Sequence, residues 1–313
     1  MSAEPTILVV GSINMDLVVR ATRMPAPGET VLGQGFATAP GGKGANQAVA
    51  AARQGVRCVF LGRVGEDAFG EKLVSGMKAE GIDCENLLPT PDAPTGVAMI
   101  IVDAKGENSI VVASGANHRV TPDDVYHRAG LFEQADVVLL QLELPLPTVR
   151  AAEKLAAKHD CKVVLDPAPA PKCLPAEMCE VDVISPNVSE AEIITGKHVD
   201  DADERVDKLV ASDLIARGAR AAVLKRGARG SLVLTADGQI ASIKPYKVDI
   251  VDTTAAGDAF TASLAVGIAR GLSLPQAAKI ANAAGALACT KFGAQPSMPT
   301  ADEIKILMED QPI

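Results

Sequence analysis

The stretch 136–166, DVVLLQLELPLPTVRAAEKLAAKHDCKVVLD, holds the fold in miniature. Residues 136–141 and 162–166 are short apolar runs rich in β-branched side chains, each the length of a buried strand. Between them, 146–159 carries apolar residues at helical spacing. A strand, a helix and a strand in that order predict a βαβ unit with parallel strands. Similar runs recur at 6–11, 58–62, 182–185 and 221–225, and helical stretches at 44–54 and 203–217 lie among them. The expectation is an α/β fold with a mostly parallel central sheet, and ligands gathered at the carboxyl ends of its strands.

Two regions break the alternation. Residues 17–20 with 29–39 form one, and 96–103 with 107–114 the other, joined by the turn Ala104-Lys105-Gly106. The second pair reads as a β-hairpin. Both are expected in a small β appendage, placed as a lid over the sheet edge or as a dimer surface. Further on, 256–271 and 274–290 are apolar, Ala-rich helices that read as buried. The segment 167–175 is a Pro-rich loop after a strand, not a domain linker.

The 313 residues are 48% hydrophobic and 22% charged, a globular balance. With no Trp and only 3% aromatics, the core must be built from Ala, Val, Leu and Ile. A net charge of -9 argues against a nucleic-acid surface, though not against a locally positive site for an anion. The six cysteines form no C-x-x-C pair, so no zinc site or disulfide framework is expected, and the expected setting is the reduced cytoplasm. Residues 1–5 do not read as a signal peptide, and the longest apolar runs fall short of a membrane span.

Chemistry concentrates in a few segments. Asp252-Thr253-Thr254-Ala255-Ala256-Gly257-Asp258 is polar and feeds straight into a helix. Small residues at 255–257 allow close backbone approach, and a helix start suits a phosphoryl group. Asp258 in the first turn could take a proton from a hydroxyl, or could simply stabilise the helix start through its dipole. Gly41-Gly42-Lys43-Gly44-Ala45-Asn46-Gln47 is a glycine-rich turn opening a helix, without Walker A spacing. It suits a polyhydroxylated ligand or a phosphate, or is only a tight turn. Asn14 and Asp16 follow the first strand on one face, and Glu143 follows the strand 136–141. Asn187 and Glu190 open a helix and match a capping box. The basic turn 225–230 could touch a nucleotide or merely join two strands.

Together, 9–16, 41–65, 252–264 and 293–297 resemble the ribokinase-like family of carbohydrate and nucleoside kinases. The resemblance spans nearly the whole chain, read as one kinase domain over 1–313. It implies a three-layer α/β/α core with a small β-sheet lid, and ATP-dependent phosphorylation of a small sugar, D-ribose at its 5-hydroxyl. It implies sugar contacts from Asn14, Asp16, Gly42, Lys43, Asn46 and Glu143. Asp258 would be the base, and Ala255, Ala256 and Gly257 the anion hole. Asn187 and Glu190 match a motif associated with Mg2+ and the phosphates, while Lys225, Gly227, Gly230 and Asn282 fall where the family holds the nucleotide. Lys225 departs from the small hydroxyl or apolar residue common there. Asp252, Thr254, Lys291, Gly293 and Ser297 match a K+ site, Lys291 through its carbonyl alone, since an ammonium cannot ligate a cation. The implied partners are sugar and ATP, with no nucleic acid and no membrane, and a homodimer through the lid.

Three other readings compete. A nucleoside, fructose or keto-deoxy sugar acid kinase would share the motifs, but carboxylates in the sugar set favour a neutral sugar. A non-catalytic sensor on this fold would be expected to lose the base or the anion hole, and Asp258 and Gly257 are both present. A dinucleotide oxidoreductase is set aside, because no G-x-G-x-x-G follows the first strand.

Overall fold

The apolar runs become strands of one nine-stranded sheet in the computed structural model, which describes residues 4–198 and 204–313. Strand β1 (Thr6–Val10) is buried throughout and lies inside the sheet. The chain then leaves it, and β2 (Asn14–Arg20) pairs antiparallel with β3 (Gly35–Gly41). Helix α1 (Lys43–Ala52) returns to the core, and β4 (Arg57–Gly65) lies parallel to β1. Helix α2 (Ala68–Ala79), capped by the Asp67 side chain, leads to the edge strand β5 (Leu87–Thr90).

A second excursion forms the expected hairpin of β6 (Gly96–Val102) and β7 (Asn108–Ala113). Short helices α3 (Pro122–Tyr126) and α4 (Ala129–Phe132) follow. The βαβ unit is then β8 (Val137–Gln141), α5 (Leu146–Lys158) and β9 (Lys162–Asp166). Strand β10 (Val183–Ile184), helices α6 (Val188–Thr195) and α7 (Glu204–Ala216) and strand β11 (Ala221–Lys225) complete the parallel part. Strands β12 (Ser231–Thr235) and β13 (Ile240–Ile243) add an antiparallel edge. Helices α8 (Ala256–Ala269), α9 (Leu274–Ala288) and α10 (Ala301–Asp310) close the described chain.

The strand order is β13-β12-β11-β10-β9-β8-β1-β4-β5. Successive strand residues face opposite sides. Ile7 and Val9 therefore join one apolar cluster, with α1, α2, α8 and α9, while Leu8 and Val10 join another, with α3 to α7. This is the three-layer arrangement, and it explains the continuous apolar runs, since strands covered on both faces have no polar side. Among the described residues no helix is long and apolar enough to cross a membrane.

The appendage is a four-stranded sheet of order β3-β2-β6-β7. One expectation is corrected here. Asn14 and Asp16 do not merely trail the first strand: they are the opening residues of β2, paired with Gly41 and Ala39 of β3 and with Gly96 and Ala98 of β6. The first appendage region is also bounded differently from expectation: its first strand starts earlier, at Asn14 rather than 17, and its second starts later than 29. The stretch 21–34, with two prolines and two glycines, forms no strand, and the ladder begins at Gly35. The expected helix start at Asp203, and residues 1–3 of the N-terminal segment, lie outside the described residues.

Candidate active site

Asp258 and the expected sugar contacts meet near the carboxyl ends of β1 and β8, carried by the start of β2, the start of α1, the segment after β8 and the start of α8. Helix α8 begins without any side-chain cap, behind Ala255, which adopts the left-handed conformation at φ 59°. A non-glycine residue there costs on the order of 1–3 kcal/mol, so the surrounding structure must hold it. The turn directs the Ala256 N–H to the Thr253 carbonyl at 3.3 Å. The next two amides, of Gly257 and Asp258, are among those that a helix start leaves without an intrahelical partner. The expected anion hole, Ala255, Ala256 and Gly257, thus lies at this helix start, with the Ala256 amide turned to Thr253 and the amide of Asp258 added to the free donors.

Asp258 is buried, yet its carboxylate does not cap its own helix. Oδ2 accepts from Asn46 Nδ2 at 2.9 Å and Oδ1 from Gln47 Nε2 at 3.3 Å. Both donors lie in the first turn of α1. Burial pushes the Asp258 pKa up, and Asp166 adds to this, while Lys43, Asn46 and Gln47 pull it down; the balance is about 6. Such a group is charged at neutral pH and close enough to that pH to exchange a proton.

The start of α1 is built by close packing. Gly42 has φ 89°, and a Cβ there would lie 2.7 Å from the Asn14 backbone nitrogen, so only glycine fits. Glu143, reaching over from beyond β8, accepts from Lys43 N–H at 3.1 Å and from the Ser12 hydroxyl, both through Oε2. Asp16 stands beside them. Burial, then Glu143, then Asp258 raise its pKa to about 7. Burial works against the Lys43 ammonium, but Asp258, Asp166, Glu143 and Glu190 outweigh it, so its pKa is raised. Asn14 is fixed by Asn117, whose Nδ2 donates to Asn14 Oδ1 at 2.7 Å. Asn46 Oδ1 is a buried acceptor with no hydrogen-bond partner.

Asp258 faces a polar cavity of about 280 Å³, lined also by Lys43, Asp166, Asn187, Glu190, Lys225 and Gly257. Asn187 and Glu190 do form the capping box of α6, which engages Asn187 Oδ1 and Glu190 Oε2. A second, mostly apolar cavity of about 240 Å³ adjoins it, sharing Lys225, Gly227 and Gly257. Gly230, Tyr246, Phe260 and Asn282 help line it. Asn282 Nδ2 also donates to the Lys244 carbonyl at 3.0 Å, pinning the chain beyond β13 to α9. The basic turn 225–230 is therefore both a connection between β11 and β12 and a cavity wall.

Two loops meet beside the start of α8. Asp252 Oδ1 accepts from Thr254 N–H at 2.9 Å and from its hydroxyl, and Oδ2 accepts from Gly293 N–H at 3.0 Å. Burial opposes ionisation of Asp252, but these bonds hold its pKa below the usual value. Ser297 is buried and donates to the Ala294 carbonyl, while the Lys291 ammonium pairs with Glu303 at 2.7 Å. Asp252, Thr254 and Gly293 are thus brought together, and the Lys291 charge is engaged elsewhere. The oxygen-rich, singly acidic character of these loops fits a hard monovalent cation. The polar cavity, with the Glu190 carboxylate on its wall, fits Mg2+ carried on phosphates, a metal that takes few protein ligands.

Four residues outside the expected set complete the site. Gln47 Nε2 donates to Asp166 Oδ2 at 2.9 Å, and Gln47 Oε1 accepts from Gln141 Nε2 at 2.7 Å. Gln141 and Asp166 end β8 and β9, the place where ligands collect in such sheets, and that position was the available signal. Asn117 gave no comparable local signal.

Residues 4–301 match the model of the pfkB family carbohydrate kinases. The chain is similar to the ribokinase of Haemophilus influenzae, 40% identical over 304 residues that cover 97% of this chain and 98% of that one. It is also similar to the ribokinase of Bacillus subtilis, 38% identical over 302 residues, 96% of this chain and 99% of the other. Among solved structures, Arabidopsis thaliana ribokinase complexed with ribose and ATP matches with a TM-score of 0.89 at 32% identity, over 98% of this chain and 99% of that one.

Proposed function

The chain belongs to the pfkB family of carbohydrate kinases, and from that premise we propose that it transfers the γ-phosphoryl group of ATP to the 5-hydroxyl of D-ribose, giving ribose 5-phosphate and ADP. The observation that carries this is the buried Asp258 carboxylate beside the free amides of an uncapped helix start, facing a polar cavity that opens onto an apolar groove.

The sugar lies between sheet and lid, and the nucleotide base in the apolar cavity. Asp16, Asn46, Glu143, Asn14, Lys43 and the main chain at Gly42 grip the sugar hydroxyls. The unpartnered Asn46 Oδ1 supports this, since a hydroxyl would satisfy it. Asp258 accepts the 5-hydroxyl proton as the new O–P bond forms and the bond to the ADP oxygen breaks. Amides at the α8 start, from the Ala255-Ala256-Gly257 turn onward, stabilise the negative charge on the transferred group. Lid closure excludes water, which would otherwise take the phosphoryl group.

Gly227, Gly230 and Asn282 border the nucleotide, with Lys225 at its phosphate end. Asn187 and Glu190 would hold Mg2+ on the phosphates, where it neutralises their charge. Asp252, Thr254 and Ser297, with the carbonyls of Lys291 and Gly293, would hold K+, which steadies the loops that present the helix start. The whole chain is read as one kinase domain with the four-stranded sheet as its lid. Exposed Ile110, Val111 and Val112 on β7 support a homodimer through that sheet. Unpaired cysteines support a cytoplasmic setting.

The test is ADP release with ribose, 2-deoxyribose, fructose and a nucleoside as acceptors, with and without K+, and NMR of the product. Ribose phosphorylated at O5 is the expected result. A preference for a nucleoside, or no transfer to any sugar, would overturn the reading.

A further inference from the structure

One charged pair beside the helix start, Lys225 with Asp166, stands at the phosphate end of the nucleotide without a role so far in the transfer itself. Lys225 ends β11 and Asp166 ends β9, on either side of β10. Their side chains meet in the core, with Nζ 2.8 Å from Oδ1, and are 10% and 2% exposed. Asp166 Oδ2 accepts from Gln47 Nε2, and the Thr261 hydroxyl lies 3.4 Å from both Asp166 Oδ2 and Lys225 Nζ.

An ammonium has three hydrogens. Asp166 and Thr261 take two directions, and the third opens toward the ligand space. Three observations support that. Lys225 lines both the polar and the apolar cavity, so it stands on the wall between them. Its Nζ lies 3.6 Å from where a Cβ on Gly257 would sit, close to the residue whose amide is free at the helix start. And Gln47 donates to Asp166 and to Asp258 from one nitrogen, tying the pair to the proposed base. A buried pair of this kind is a poor source of stability, because replacing both charges by neutral groups is often harmless.

Resting on the kinase reading above, we propose that Lys225 is a catalytic residue whose ammonium contacts the transferred γ-phosphoryl group, and that Asp166 is a positioning residue. Asp166 aims the ammonium and, through Gln47, keeps it in register with Asp258. Lys225 therefore belongs to the reacting end of the nucleotide rather than to its base or ribose. The phosphoryl group passes from nucleotide to sugar across the wall that Lys225 occupies, so the contact persists as charge develops on the oxygens in flight.

Lys225→Met alone would strand Asp166 as an unpaired buried charge and could fail to fold. The informative variant is the double change Lys225→Met with Asp166→Asn in the full chain. Turnover with ribose, calorimetric affinity for ADP and for a non-hydrolysable ATP analogue, and thermal unfolding are all read. Unfolding temperature, ribose KM and ADP affinity should stay near wild type. The affinity for the ATP analogue should fall about 10-fold, and kcat by ~10²–10³, as when one charge-stabilising donor is lost. A double variant with kcat within about 3-fold of wild type would overturn the proposal. So would equal losses of ADP and ATP-analogue affinity, the mark of a purely structural pair. A wild-type chain that phosphorylates no sugar would instead defeat the kinase reading, and the comparison of the two nucleotides would still judge Lys225.

Discussion

Asp16 carries a stability cost that can be measured apart from its function. Its pKa is raised from 3.8 to about 7 by burial and by the neighbouring carboxylates of Glu143 and Asp258. At 1.36 kcal/mol per pH unit, holding it charged at pH 8 costs the folded state ~4 kcal/mol. Solvent screening at its partly exposed edge lowers this to roughly 2–3 kcal/mol. The sign follows from linkage. Below pH 3.8 the carboxyl is neutral in both states and contributes nothing. Between about 4 and 7 the folded chain binds the extra proton, so stability falls as pH rises, and above 7 the full penalty is present. Asp16→Asn removes it. Thermal unfolding of wild type and variant should therefore nearly coincide at pH 4 and diverge by pH 8, with the variant about 4–6 °C higher at some 2 °C per kcal/mol. The same variant should raise the ribose KM by ~10–100-fold, because a hydrogen bond to a charged group is lost. A variant that melts at or below wild type at pH 8, or one that keeps the ribose KM, would refute the placement of Asp16 in a shared carboxylate cluster facing the sugar.

Two further variants probe the base. Asp258→Asn should lower kcat by ~10²–10⁴ with unfolding temperature nearly unchanged, and near-normal turnover would remove Asp258 from its role. The Asn46 hydrogen bond helps hold the Asp258 pKa down to about 6. Asn46→Ala should therefore shift the acid limb of kcat/KM for ATP, measured at saturating ribose, toward higher pH; a limb that stays put or moves down would show that the bond does not matter.

Much of the fold was legible because parallel strands buried on both faces leave continuous apolar runs. Strands β1, β8 and β9 and helices α1, α5, α8 and α9 announce themselves in this way. Strands β12 and β13 did not. They pair antiparallel at an edge, and β13 is half exposed, so its four residues lack a clear pattern. Helices α2 and α10, and strand β5, were likewise not singled out. The site divides similarly. Asp258 and Asn46 could be found because each sits in a helix-opening segment with local meaning. Asp166 and Gln47 act only by meeting each other across 119 positions, and Asn117 reaches Asn14 across 103. No local pattern encodes such a meeting. Lys225 was visible as a departure from its family, but its partner was not.

Helices α1 and α8 pack side by side, and their first turns touch through Asn46, Gln47 and Asp258. Both therefore aim the positive ends of their peptide dipoles at one spot. That polarity is wired into the main chain: peptide groups do not titrate, and no side-chain replacement removes them. Acid that silences Asp258 and Asp16 leaves it in place. The protein should thus go on holding ADP at a pH where it no longer turns over, as a lock that still takes the key after the bolt has stopped moving.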